Sequence, residues 1–125
     1  MIRVLIIDDN QQQAEIISQF LEASAIEASI ITDSPEAFAK ISDFKPGVII
    51  LDIMMPKLDG LTLLKKIRDQ KEWSDIKIIV YTAKNFDVDK RKALQLGADL
   101  FLAKPTRGFQ IVEHVKSLAG VPSLP

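Results

Sequence analysis

Three carboxylates, one hydroxyl and one ammonium stand where apolar runs of this chain end: Asp8 and Asp9, Asp52, Thr82 and Lys104. An ionised group at the end of a buried run is costly unless it is solvated or paired. Clustered carboxylates also repel and raise one another's pKa unless a cation sits among them. Mg2+ suits such a cluster, being a hard ion that takes one or two carboxylates, keeps waters and accepts phosphate oxygens. Mn2+ accepts the same oxygen ligands. Asp52 can then act as a nucleophile that forms an acyl phosphate. Lys104 would pair with the incoming phosphoryl oxygens, and Thr82 would donate its hydroxyl to another. Phosphoryl transfer asks mainly for positioning and charge neutralisation, which this set supplies. Each residue taken singly has a plainer role as helix cap or turn former. Their coincidence at separate strand ends is what points to a site.

The elements that must hold them alternate along the chain. Short β-branched runs at Arg3–Ile7, Ala28–Thr32, Val48–Leu51, Ile76–Tyr81 and Asp99–Ala103 are expected to be strands. Stretches of helical period lie between them. Gln13–Ser24 places Ile16, Ile17, Phe20 and Leu21 on one face. Ser34-Pro35 supplies a cap and a first-turn proline for a helix carrying Ala37, Phe38 and Ile41. Leu61, Leu64 and Ile67 mark a third helix, Asp87–Leu96 a fourth with no tight stripe, and Ile111, Val112, Val115 and Leu118 a fifth. The order implies βαβ units and a parallel sheet covered on both faces. Ala28–Thr32 is the least apolar strand and is assigned to an edge. In such sheets functional groups collect at the carboxyl ends of the strands, where the five polar residues fall.

Composition removes other classes. The 125 residues at net charge −1 fit one domain with no basic excess for nucleic acid or membrane surface. With no cysteine there is no disulfide, thiolate metal site or cysteine nucleophile, and His114 has no histidine partner for a metal. Asp8-Asp9 cut the N-terminal apolar run too short for a signal peptide, and no stretch is long enough to span a membrane. The expected location is the cytoplasm. Neither a P-loop nor a dinucleotide fingerprint occurs.

The residues resemble the receiver domain of two-component response regulators. The pieces are Ile6-Ile7-Asp8-Asp9, Leu51-Asp52-Ile53-Met54-Met55-Pro56-Lys57-Leu58-Asp59-Gly60, Tyr81-Thr82-Ala83 and Gly97-Ala98-Asp99-Leu100-Phe101-Leu102-Ala103-Lys104-Pro105. They follow in order, with 44, 30 and 22 residues separating Asp8, Asp52, Thr82 and Lys104. The resemblance implies an α/β, flavodoxin-like, doubly wound five-stranded parallel sheet of order 2-1-3-4-5 with five helices. The receiver domain would occupy residues 1–119, leaving 120–125 as a tail or the start of a linker.

The same resemblance implies site roles and partners. Asp52 would take phosphate from a histidine kinase or histidine phosphotransfer protein. Asp8, Asp9, Asp52 and the Met54 backbone carbonyl would hold Mg2+, and Thr82 and Lys104 would contact the phosphoryl group. Thr82 and Phe101 would act as the switch that reshapes the face of the fourth helix, fifth strand and fifth helix. That face would bind a downstream protein or output domain, or dimerise on phosphorylation. A cis Lys104-Pro105 bond is also implied. The chain departs from the usual pattern at Met54, Lys84 and Thr106. An apolar Met54 offers no hydrogen bond to orient an attacking water, so a long-lived acyl phosphate is expected.

Two other functions compete. An aspartate-nucleophile phosphatase needs a second acid two residues after Asp8, where Asn10 stands. A receiver-like interaction module that is never phosphorylated would not need all five site residues. Trp73 is expected in a partly exposed loop, and His114 has no place in the chemistry.

Overall fold

The computed structural model describes residues 1–57 and 59–120. Its elements in order are β1 (Arg3–Ile7), α1 (Gln11–Ala23), β2 (Glu27–Ile31), α2 (Ala37–Phe44), β3 (Val48–Leu51), α3 (Gly60–Arg68), β4 (Lys77–Thr82), α4 (Asp87–Gln95), β5 (Leu100–Ala103) and α5 (Gly108–Leu118). Short 3-10 turns at Ser34–Glu36 and Lys71–Trp73 precede α2 and β4. The strands form one five-stranded sheet of order β2-β1-β3-β4-β5, and every pairing is parallel.

Continuous apolar strands follow from burial on both faces. Leu5, Ile7, Ile49, Leu51, Ile78 and Val80 meet Ala37 and Ile41 of α2, Leu64 and Ile67 of α3 and Ala93 of α4. The alternate residues Val4, Ile6, Val48, Ile50 and Ile79 meet Ala14, Ile17 and Leu21 of α1 and Ile111, Val112 and Val115 of α5. β2 is an edge strand, as its composition implies, and β5 closes the other edge half-buried.

Several expectations needed correction. Ile16 and Phe20 do not join the α1 core face; both are substantially exposed, and Ala14 is buried in their place. An alanine lets the helix lie close to the sheet, while the Phe20 ring lies over Gly108 at the start of α5. The second helix is entered differently too. Asp33 occupies the cap position of a 3-10 turn containing Ser34 and Pro35, and α2 begins at Ala37. α1 starts at Gln11, two residues early, because the Asn10 side chain accepts the Gln13 N–H and caps it. Trp73 is partly exposed, as expected, and it ends a 3-10 turn where it stacks on Phe38, with ring centroids 6.1 Å apart. The expectation for residues 121–125 lies outside the described residues. No helix among the described residues is long and apolar enough to cross a membrane.

Candidate functional site

The sheet ladder continues one residue past the formal strands and anchors the site. Asp8 N–H donates to Ile31 O, Asp52 N–H to Ile7 O and Lys104 N–H to Thr82 O, at 2.9–3.0 Å. Each side chain therefore leaves a backbone fixed by its neighbouring strand, at one edge of the sheet.

Asp8, Asp9 and Asp52 each offer a carboxylate oxygen within 4.8 Å of the others. Asp8 and Asp52 are buried, whereas Asp9 is exposed. Each buried aspartate has one oxygen held by the backbone two residues on: Asn10 N–H donates to Asp8 Oδ1 and Met54 N–H to Asp52 Oδ1, both at 2.9 Å. The other oxygens face Lys104, whose Nζ donates to Asp8 Oδ2 at 2.7 Å and to Asp52 Oδ2 at 2.9 Å. Lys104 crosses β4 to reach Asp52. Its bond to Pro105 is cis.

The electrostatics follow from burial and crowding. Burial pushes the Asp8 carboxyl up; the Lys104 contact and the Asn10 N–H oppose this without cancelling it, and the Asp52 charge adds to the rise. Burial alone would push the Lys104 ammonium down. Hydrogen bonds and charges from Asp8 and Asp52 outweigh it, and its pKa is raised. One ammonium thus serves two buried carboxylates with a third beside them. The donor set is all oxygen and over-supplied with negative charge, which fits a hard divalent ion.

Thr82 is fully buried, and its Oγ1 accepts the Lys84 N–H at 3.2 Å. Phe101 is partly buried against the core face formed by α2, α3 and α4. The Met54 side chain is half-exposed at the rim. Asp59 caps α3, accepting from the Leu61 N–H at 3.4 Å, and Gly97 takes φ 110° after α4 as a helix C-terminus requires. His114 lies within α5.

Three features escaped the sequence. Gln13 Oε1 accepts a further hydrogen bond from Lys104 Nζ at 2.9 Å. Asp89, in the first turn of α4, is buried with no hydrogen-bond partner for Oδ2 among the described residues and with Oδ1 3.7 Å from Lys84 Nζ. Thr106 braces the turn after β5, its N–H donating to Tyr81 Oη at 2.9 Å and its Oγ1 to Ala103 O at 2.9 Å. Gln13 and the Thr106 N–H have partners remote in sequence, whereas Asp89 is an ordinary first-turn acid whose burial comes from tertiary packing.

The model of the response regulator receiver domain family matches residues 4–116. Among curated proteins, the alkaline phosphatase synthesis transcriptional regulatory protein PhoP of Bacillus subtilis is 34% identical over 116 residues, 93% of this chain and 48% of its own. A protein-glutamate methylesterase/protein-glutamine glutaminase of Geobacter sulfurreducens is 41% identical over 110 residues, 86% of this chain and 29% of that one. The chain spans about half or less of the length of these relatives. Among solved structures, the receiver domain of Francisella response regulator 1452 superposes with TM-score 0.88 at 30% identity, covering 96% of this chain and 98% of that one. A CheY-like receiver domain from Methanospirillum hungatei gives 0.89 at 27%, covering 96% and 94%. Sequence, strand order and the edge on which the acids gather agree: the chain belongs to the response regulator receiver domain family.

Proposed function

We propose that the chain is a phosphorylation-controlled switch in which Asp52 accepts the phosphoryl group. The observation that carries this reading is the Lys104 Nζ–Asp52 Oδ2 contact of 2.9 Å inside a cluster of three carboxylates. An Asp52 oxygen attacks phosphorus, the phosphorus–nitrogen bond of a phosphohistidine breaks, and the electron pair leaves on the imidazole. The chain carries a single histidine, His114 on α5, and the phosphohistidine is assigned to a histidine kinase or phosphotransfer protein. Lys104 neutralises the phosphoryl oxygens, and Thr82 offers its hydroxyl from the adjoining strand end. Asp8, Asp9, Asp52 and the Met54 carbonyl would hold Mg2+, which neutralises charge on the transferring group when bound. Residues 1–119 form the receiver unit, and the chemistry it catalyses is confined to its own phosphorylation and dephosphorylation.

The output face is that of α4, β5 and α5. α4 is lightly tied: Ala93 is its buried apolar residue, while Phe86 before it and Val88 and Leu94 within it stand 71%, 60% and 41% exposed. Apolar side chains grouped on so thinly packed an element suit a docking face for a downstream protein, an output domain or a second copy. Thr82 and Phe101 flank this element from the strand side and act as its switch.

The test is incubation with acetyl phosphate, with and without Mg2+, followed by intact mass. One added phosphoryl group, dependent on Mg2+, supports the reading. Turnover of p-nitrophenyl phosphate would favour a phosphatase, and no labelling with Mg2+ present would favour an unphosphorylated module.

A further inference from the structure

We infer that Gln13 is a positioning residue for the Lys104 ammonium, an inference that rests on the phosphoacceptor reading of the site. An ammonium carries three protons. In Lys104 each has an oxygen in reach: Asp8 Oδ2 at 2.7 Å, Asp52 Oδ2 at 2.9 Å and Gln13 Oε1 at 2.9 Å. The first two acceptors are buried carboxylates of the reaction centre. The third is a neutral amide from the first turn of α1, 91 residues away in sequence.

The Gln13 contact differs from the others in what happens to it during reaction. When Asp52 becomes an acyl phosphate, its Oδ2 no longer presents a free carboxylate to Lys104, and the ammonium must move its bond onto the phosphoryl oxygens. Asp8 alone would leave the flexible four-carbon stem with one fixed point. A cavity of ≈150 Å³, bounded by Gln13, Ile17, Tyr81, Pro105 and Ile111, opens beside Lys104. The Tyr81 ring lies along that side too, 5.4 Å from Nζ, and would hold an ammonium released from Asp52 on the cavity side. Gln13 holds the third proton at the rim and keeps the ammonium beside Asp52 while the acceptor oxygen changes. A carboxylate in its place would add negative charge to an already crowded cluster. The neutral amide holds without doing so.

The test is a double-mutant cycle on labelling by acetyl phosphate with Mg2+, joined to the lysine ammonium NMR spectrum of the unlabelled protein. Gln13→Leu is expected to lower the labelling rate at saturating donor about tenfold, the equivalent of one hydrogen bond from a charged donor. In a Lys104→Met background the same change should alter the residual rate less than about twofold, because there is no ammonium to position. The three hydrogen bonds should protect the Lys104 ammonium signal from solvent exchange in the native protein, and that signal should be lost in Gln13→Leu. An equal rate loss in both backgrounds, or an unchanged ammonium signal, would overturn the inference. A native protein that is never labelled, yet loses ammonium protection in Gln13→Leu, would overturn the phosphoacceptor reading and leave the Gln13–Lys104 tie standing.

Discussion

Lys104 and Asp52 leave strands that do not pair, β5 and β3, yet their side chains meet at 2.9 Å across the end of β4. The contact ties the edge of the sheet to its centre through one ammonium, so the charge state of Lys104 bears on the whole rim.

The pH dependence follows from its sign. Lys104 has a pKa raised above 10.5 by Asp8 and Asp52 against the opposing effect of burial. Its contribution to stability is therefore complete below pH 10.5 and is lost as pH rises through the folded-state value. Lys104→Met is expected to cost roughly 2 kcal/mol at neutral pH without Mg2+. Urea midpoints of both proteins should converge as pH climbs past that point. A difference that stays constant to the alkaline limit would contradict the pairing.

Metal binding should appear as stability. Asp8, Asp9 and Asp52 crowd one another, and Mg2+ that binds the folded chain stabilises it by about 2.7 kcal/mol at a hundredfold excess over Kd. Melting temperature is expected to rise with Mg2+ in the native protein and to rise far less in Asp8→Asn. Equal rises in both would place the ion elsewhere.

Met54 bears on the lifetime of the phosphorylated form. Its N–H is engaged by Asp52 Oδ1, while its half-exposed thioether side chain has no group to orient a water. Met54→Asn supplies one, and its acyl phosphate should decay several-fold faster. Native decay as fast as the variant's would count against this role.

Two glycines should differ in cost. A Cβ on Gly60 would lie 2.2 Å from Ile53 Cα and 2.7 Å from Asp52 O, both backbone atoms beside the acceptor. Gly60→Ala should destabilise by about 3 kcal/mol and slow Asp52 labelling. At Gly108 the obstacle is the Phe20 ring at 2.3 Å, a side chain free to turn outward because it is already 44% exposed. Gly108→Ala should cost roughly 1 kcal/mol. Urea denaturation of the pair checks the ranking.

What the sequence revealed, and what it hid, divides along physical lines. Asp8, Asp52, Thr82 and Lys104 were legible because an apolar strand that stops at a polar residue marks a sheet edge, and parallel strands bring such edges together. The α1 face was misjudged because hydrophobicity ranks Ile16 and Phe20 above Ala14, whereas close helix–sheet approach favours the smaller residue. The cap at Asn10 and the 3-10 entry to α2 turn on which of several adjacent polar residues takes the cap geometry. Gln13 and Asp89 were invisible for a different reason. Gln13 acquires its contact from tertiary placement, and Asp89 sits buried at a helix start where acids are ordinarily solvated.

The phosphoacceptor assignment is tested most directly by the intact mass of native protein and Asp52→Asn after acetyl phosphate and Mg2+. The native chain should gain one phosphoryl group and Asp52→Asn none, with a cooperative melting transition in the absence of donor showing that both are folded. Equal labelling of the two proteins would contradict it.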